Sequence, residues 1–82
     1  MAVNHAELRI VDARGLACPL PVLKLRKALR LAEPGAIWVL LATDPAAARD
    51  VPSFCASAGH EVVAQSRDGK DLRFEIRVGA PA

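Results

Sequence analysis

The sequence predicts an α/β domain with its elements in the order βαβαββ. Three observations carry this: strand-like apolar runs alternate with two stretches of helical period, a hairpin signal closes the chain, and Pro and Gly punctuate the joints. The chain has 82 residues, of which 52% are hydrophobic. That is one domain, 1–82 with a core over about 8–78, large enough to fold without a metal or disulfide staple.

Leu8-Arg9-Ile10-Val11-Asp12 alternates and reads as the first strand, and Gly15 turns the chain. Val22, Leu25, Ala28, Leu29 and Ala32 then share one helical face, with Lys24, Arg26, Lys27 and Arg30 on the other side. Pro34-Gly35 is the expected stop. Ala36 to Ala42 is a continuous apolar run whose length suits a strand near the middle of a sheet. Together these make a βαβ unit, for which a right-handed crossover is expected.

Thr43-Asp44-Pro45 closes that strand, with Asp44 suited to a helix N-cap and Pro45 to a first helical position. Pro52 inside a helix would cost about 3 kcal/mol. The prediction is therefore a separate turn near 45–50, then a helix from about Val51 to Ala58 capped by Asp50. In that helix Val51, Phe54, Cys55 and Ala58 would share one face, and Gly59 would stop it. His60 to Ser66 and Asp71 to Val78 are strand-like; Leu72, Phe74, Ile76 and Val78 take one side of the second, and Asp68-Gly69 marks the hairpin between them.

The net charge of +2 is too small to argue for a nucleic-acid partner. Trp38, Phe54 and Phe74 are the aromatic residues, all at expected core positions, so a base-stacking platform is not expected. The first ten residues carry no basic segment followed by an apolar one, and no apolar run is long enough to cross a bilayer. A cytoplasmic protein with no membrane association is expected. His5, Cys18, Cys55 and His60 lack zinc-ligand spacing, and neither a metal nor a cofactor is expected. Without a C-x-x-C motif or an export signal, both cysteines are expected as free thiols.

Cys18 is the candidate for chemistry. It stands in Arg14-Gly15-Leu16-Ala17-Cys18-Pro19-Leu20-Pro21, directly before the first helix. Pro19 suits the first helical position, which would place Cys18 at the N-cap, among unpaired N–H groups at the positive end of the helix dipole. That environment favours the reactive thiolate, and Gly15 and the flanking prolines suggest an exposed turn. The alternative is a small apolar residue packed at a helix start. Cys55, beside Phe54 on an apolar face, is expected to be such a packed residue.

Gly15-Leu16-Ala17-Cys18-Pro19-Leu20-Pro21 and the basic amphipathic helix after it resemble the Cys-Pro-x-Pro signature of the TusA/SirA/YedF family of small sulfur carriers. Thr43-Asp44-Pro45 through Asp50, Pro52, Phe54-Cys55 and Gly59-His60-Glu61 extend the resemblance, which covers about residues 8–78 and points to the TusA branch. It implies a two-layer sandwich, a four-stranded mixed sheet with two helices on one face. It also implies that Cys18 accepts sulfane sulfur as a persulfide from a cysteine desulfurase or a rhodanese-type donor and relays it to an acceptor protein. The destinations in the family are tRNA thiolation, molybdenum-cofactor assembly and sulfur oxidation. Such a protein is a sulfurtransferase-type carrier rather than a stand-alone enzyme. Leu20 departs from the acidic residue that several tRNA-thiolation members carry there.

Around Cys18, Pro19 and Pro21 would shape the turn, and Arg14 and Asp44 are candidate supporting residues. For Arg14 the alternative is an ordinary solvated loop arginine; for Asp44 and Asp50 it is capping alone. His60 reads as structural, with a role as base only if it faces Cys18. Leu23, Lys24, Lys27 and Arg30 form a candidate partner-docking face, against the plainer reading of a solvated helix side. Two rival functions remain: a thiol redox regulator with Cys55 as resolving cysteine, and a protein- or RNA-binding module acting through the basic helix. A monomer is expected, because one sheet and two helices account for the apolar faces.

Overall fold

The computed structural model describes residues 9–80. It contains β1 (Ile10–Ala13), α1 (Leu20–Leu29), β2 (Ile37–Ala42), α2 (Ala47–Ala58), β3 (Glu61–Asp68) and β4 (Asp71–Arg77). The predicted order is the observed one; Leu8, expected in the first strand, lies outside the described residues. The strands form one mixed sheet in the order β1-β2-β4-β3. β1 and β2 are parallel, and β4 is antiparallel to both of its neighbours.

Parallel pairing of β1 and β2 sends both strands out at the same end of the sheet. The segments that lead into α1 and α2 therefore start side by side, at the end of the sheet where Cys18 lies. Both helices cover one sheet face. Leu25 and Leu29 of α1 and Ala47, Val51 and Cys55 of α2 share a buried cluster with Val11, Leu40, Ala42, Leu72, Phe74 and Ile76. On the uncovered face of the sheet Ile37 and Arg73 are exposed and Val39 and Leu41 half-buried. The apolar run in β2 is thus a central strand with only one side sealed. Trp38 and Phe54, expected in the core, are half-buried and pack at its margin; Phe74 is fully enclosed.

Three boundaries differ from expectation. α1 ends at Leu29, before Pro34-Gly35. Its final turn tightens to i→i+3 bonds, from the Leu31 N–H to the Ala28 carbonyl and from the Ala32 N–H to the Leu29 carbonyl. Pro34-Gly35 instead leads into β2, where the Gly35 N–H donates to the Val78 carbonyl at 2.8 Å. The second difference is α2, which runs unbroken from Ala47 through Pro52 to Ala58. Proline at 52 removes the N–H that would bond the Ala48 carbonyl four residues back. That carbonyl accepts a hydrogen bond from Gln65 Nε2 of β3 at 3.4 Å, so a neighbouring strand meets part of the local cost. Third, the hairpin turn is Gly69-Lys70, between the paired Asp68 and Asp71. Gly69 has φ of 62°, as the first central position of a type II′ turn requires.

Gly59 ends α2 as predicted, in the left-handed region at φ of 84°, and the His60 N–H closes onto the Cys55 carbonyl at 2.8 Å. A Cβ on Gly59 would meet nothing within 4 Å, so the cost of a side chain there is the backbone term. Gly59→Ala is expected to destabilise by about 1–2 kcal/mol, read as a lowered urea midpoint at constant slope.

Candidate functional site

Cys18 is exposed at the sheet end where β1 and β2 release the chain. Its backbone is held by the β2–α2 segment. The Cys18 N–H donates to Asp44 Oδ2 at 2.6 Å, and Gly15 N–H donates to Thr43 Oγ1 at 2.9 Å. Asp44 uses its other oxygen, Oδ1, to accept from the Ala46 N–H at 3.0 Å. One carboxylate therefore ties the two parallel exits together. These bonds hold its carboxyl below the usual carboxylate range, the bond from Ala46 contributing most and that from Cys18 next.

Asp44 thus caps the turn that opens at Pro45, as expected, and also braces the two loops. α2 begins three residues later, with Ala46 at the cap position. With Asp44→Ala the Cys18 amide loses its acceptor, and its hydrogen exchange is expected to speed by about fivefold, the ratio supported by one ordinary hydrogen bond. NMR exchange on the Cys18 amide checks this. The sign with pH follows from the lowered carboxyl: the tie is complete above the ordinary aspartate range and is lost as pH falls through the depressed value.

The thiol differs from expectation. The Cys18–Pro19 peptide is cis, and Pro19, at φ of −98°, is the cap residue while Pro21 lies in the first turn. Cys18 is therefore one residue outside the cap. The first-turn N–H groups that would stabilise a thiolate are scarce: the Leu20 N–H is taken by the Ala17 carbonyl at 2.9 Å, and Pro21 has none. Cys18 Sγ instead donates to Asp50 Oδ2 at 3.2 Å. That bond, then desolvation, then the charges of Asp50 and Asp44 raise the thiol above its ordinary value, with Arg49 opposing. The expected depression of the thiol is corrected to a rise, because carboxylates and not free amides surround the sulfur.

Of the other candidates, Pro19 is exposed at the turn, while Pro21 is buried and belongs to the core packing. Arg14 does not reach the sulfur. Its Nε and Nη2 bind both Asp12 carboxylate oxygens, at 2.9 and 2.8 Å, which holds the Asp12 carboxyl well below its usual range. Lys24 Nζ donates to the Asp12 carbonyl at 2.7 Å, so it is anchored at β1. Leu23, Lys27 and Arg30 are exposed on the outer side of α1, joined by Leu20 and by Leu31, which is 91% exposed. His60 Nδ1 accepts from the Gly79 N–H at 2.9 Å, and the ring lines a separate cleft with Arg26, Arg30 and Phe54.

Asp50 also belongs to this candidate site. It was expected to cap a helix starting at Val51; in the continuous α2 it lies in the first turn, opposite Cys18. The sequence signal was present in the parallel exits of a βαβ unit, which bring the first turns of successive helices together. The proline penalty at 52 concealed it.

Cys55 is 1% exposed, and burial pushes its thiol up to about 11. It is a core residue, as expected, without the exposed thiolate that a resolving cysteine needs. Among the described residues, no group of three or more His, Cys, Asp or Glu is placed to hold a metal ion, and no helix is long and apolar enough to cross a membrane.

Two comparisons bear on this arrangement. The family model described as "Sulfurtransferase TusA" matches residues 9–78. The fold is similar to the crystal structure of the SirA-like protein from Desulfitobacterium hafniense, with a TM-score of 0.73 and 25% sequence identity, covering 87% of this chain and 97% of that one.

Proposed function

Because the chain belongs to the sulfurtransferase TusA family, we propose that it is a sulfur carrier whose cargo rides on Cys18 as a persulfide. The observation that carries this reading is a free, exposed cysteine held by its backbone at the shared exit of two parallel strands. An exposed thiol on a braced loop can enter a partner's active site and leave again with sulfur attached. The side chains around it supply no second thiol.

In loading, Cys18 Sγ attacks the outer sulfur of a persulfide on a cysteine desulfurase or a rhodanese-type donor. Delivery is the reverse chemistry on an acceptor protein that serves tRNA thiolation, molybdenum-cofactor assembly or sulfur oxidation. The outer side of α1 and of the turn after it, with Leu20, Leu23, Lys27, Arg30 and Leu31 exposed, begins two residues after Cys18 and is the docking face in this reading. Apolar groups set among cations suit a partner patch with acidic residues around an apolar centre. The carrier works in the cytoplasm, as a monomer that docks one partner at a time.

The test is intact mass of the protein after incubation with a cysteine desulfurase, cysteine and pyridoxal phosphate without reductant, repeated with a rhodanese and thiosulfate. A gain of one sulfur atom, mapped to the Cys18 peptide, is expected with at least one donor. No gain from either donor overturns the reading.

A further inference from the structure

We propose that Asp50 is a positioning residue that keeps Cys18 in its thiol form between transfers and releases it when a donor presents a cation to the Asp50 carboxylate. This rests on the carrier role of Cys18 and adds a residue and a requirement on the partner.

The geometry begins with one hydrogen bond. Asp50 Oδ2 accepts from Cys18 Sγ at 3.2 Å, an orientation that only the protonated thiol satisfies. A thiolate at the same place would face the Asp50 carboxylate directly, with the Asp44 carboxylate on its own backbone N–H. Among the described residues, the charged groups acting on the sulfur are these two acids and Arg49. Lys24, on the adjoining helix, is anchored at the Asp12 carbonyl instead.

The remaining oxygen of Asp50 is loosely engaged. Arg49 Nε stands 3.7 Å from Oδ1, with the arginine side chain 86% exposed and that of Asp50 30% exposed. A pair at that distance, with its arginine almost wholly in solvent, holds weakly and is open to exchange. A partner's arginine, lysine or protonated histidine can therefore reach Oδ1, neutralise the carboxylate and draw it from the sulfur. Cys18 then loses the group that favours its proton at the moment the donor persulfide arrives.

The transfer balances without an added oxidant. The S–S bond of the donor persulfide breaks, its outer sulfur bonds to Cys18 Sγ, and the donor cysteine leaves as a thiolate that takes up the proton given up by Cys18. The sulfane sulfur keeps its oxidation state. Between encounters the neutral thiol is also poorly nucleophilic, which protects an exposed cysteine from oxidation.

The experiment measures the pH profile of Cys18 alkylation by iodoacetamide in wild type, Asp50→Asn and Arg49→Ala, each checked for folding by circular dichroism. Asparagine keeps the shape and an acceptor oxygen but removes the charge. Asp50→Asn is expected to shift the profile to lower pH and to speed alkylation several-fold at pH 7. Arg49→Ala, at a side chain too exposed to threaten the fold, is expected to shift it the other way. Profiles that overlay wild type in both variants overturn the role of Asp50. Sulfur loading is measured on the same samples. Loading with overlaid profiles rejects Asp50 alone, whereas shifted profiles without loading from any donor reject the carrier role and leave the Asp50–Cys18 coupling standing.

Discussion

Cys18→Ser is expected to abolish sulfur loading completely while unfolding at the wild-type temperature. The side chain is exposed and makes one hydrogen bond, to Asp50 Oδ2, which a serine hydroxyl can also donate. The backbone tie from the Cys18 N–H to Asp44 does not depend on the side chain. Nothing in the core is disturbed, so the loss is of chemistry alone. Cys55→Ser is the control with the opposite pattern. Cys55 is enclosed in the apolar core, and an unpaired hydroxyl there costs about 1–3 kcal/mol, but loading is expected to persist. Intact mass and thermal unfolding of the two variants check both. Sulfur gained by Cys18→Ser and missing from Cys55→Ser would transfer the role to the core cysteine.

Phe74→Ala is expected to be the most destabilising single substitution, by about 3–5 kcal/mol. Phe74 is fully buried and the largest of the enclosed side chains. It lies on β4 opposite Leu40 of β2, where the covered face of the sheet meets both helices. Removing the ring leaves a cavity bounded by paired strands, which cannot collapse into it without breaking their ladder. A chain of this size has a total stability on the order of 4–12 kcal/mol, so the variant loses a large part of it. Leu31→Ala, at a side chain 91% exposed, is expected to change stability by no more than about 0.5 kcal/mol. Urea denaturation of the pair reads the contrast directly. Similar midpoints for the two variants would contradict the assignment of the core.

The legible parts of this protein are those governed by local chemistry. The alternation of Leu72, Phe74, Ile76 and Val78 marked β4 and its buried side, and all four are buried. Gly59 marked the end of α2 because few other residues accept its positive φ. Cys18 stood out through its flanking residues, and its exposure follows that reading. Arg14 was harder, because a loop arginine has no fixed partner in sequence; Asp12, two residues away, holds it. Pro52 misled through a sound local rule. The rule prices the lost N–H in an isolated helix, whereas here Gln65 of β3 reaches the freed Ala48 carbonyl.

The sequence by itself determined the order of elements, the buried sides of α1 and β4 and the cysteine that stands at the surface, because periodicity, turn residues and side-chain polarity act over a few neighbours. The tertiary structure alone decided the surroundings of that cysteine. Asp44 and Asp50 are 26 and 32 residues from Cys18 along the chain, and they meet it only because parallel pairing of β1 and β2 turns both helices out at one end of the sheet. The charge around a sulfur depends on distances in space, and here those distances replaced the expected unpaired N–H groups of a helix start with two carboxylates, reversing the direction in which the thiol is shifted.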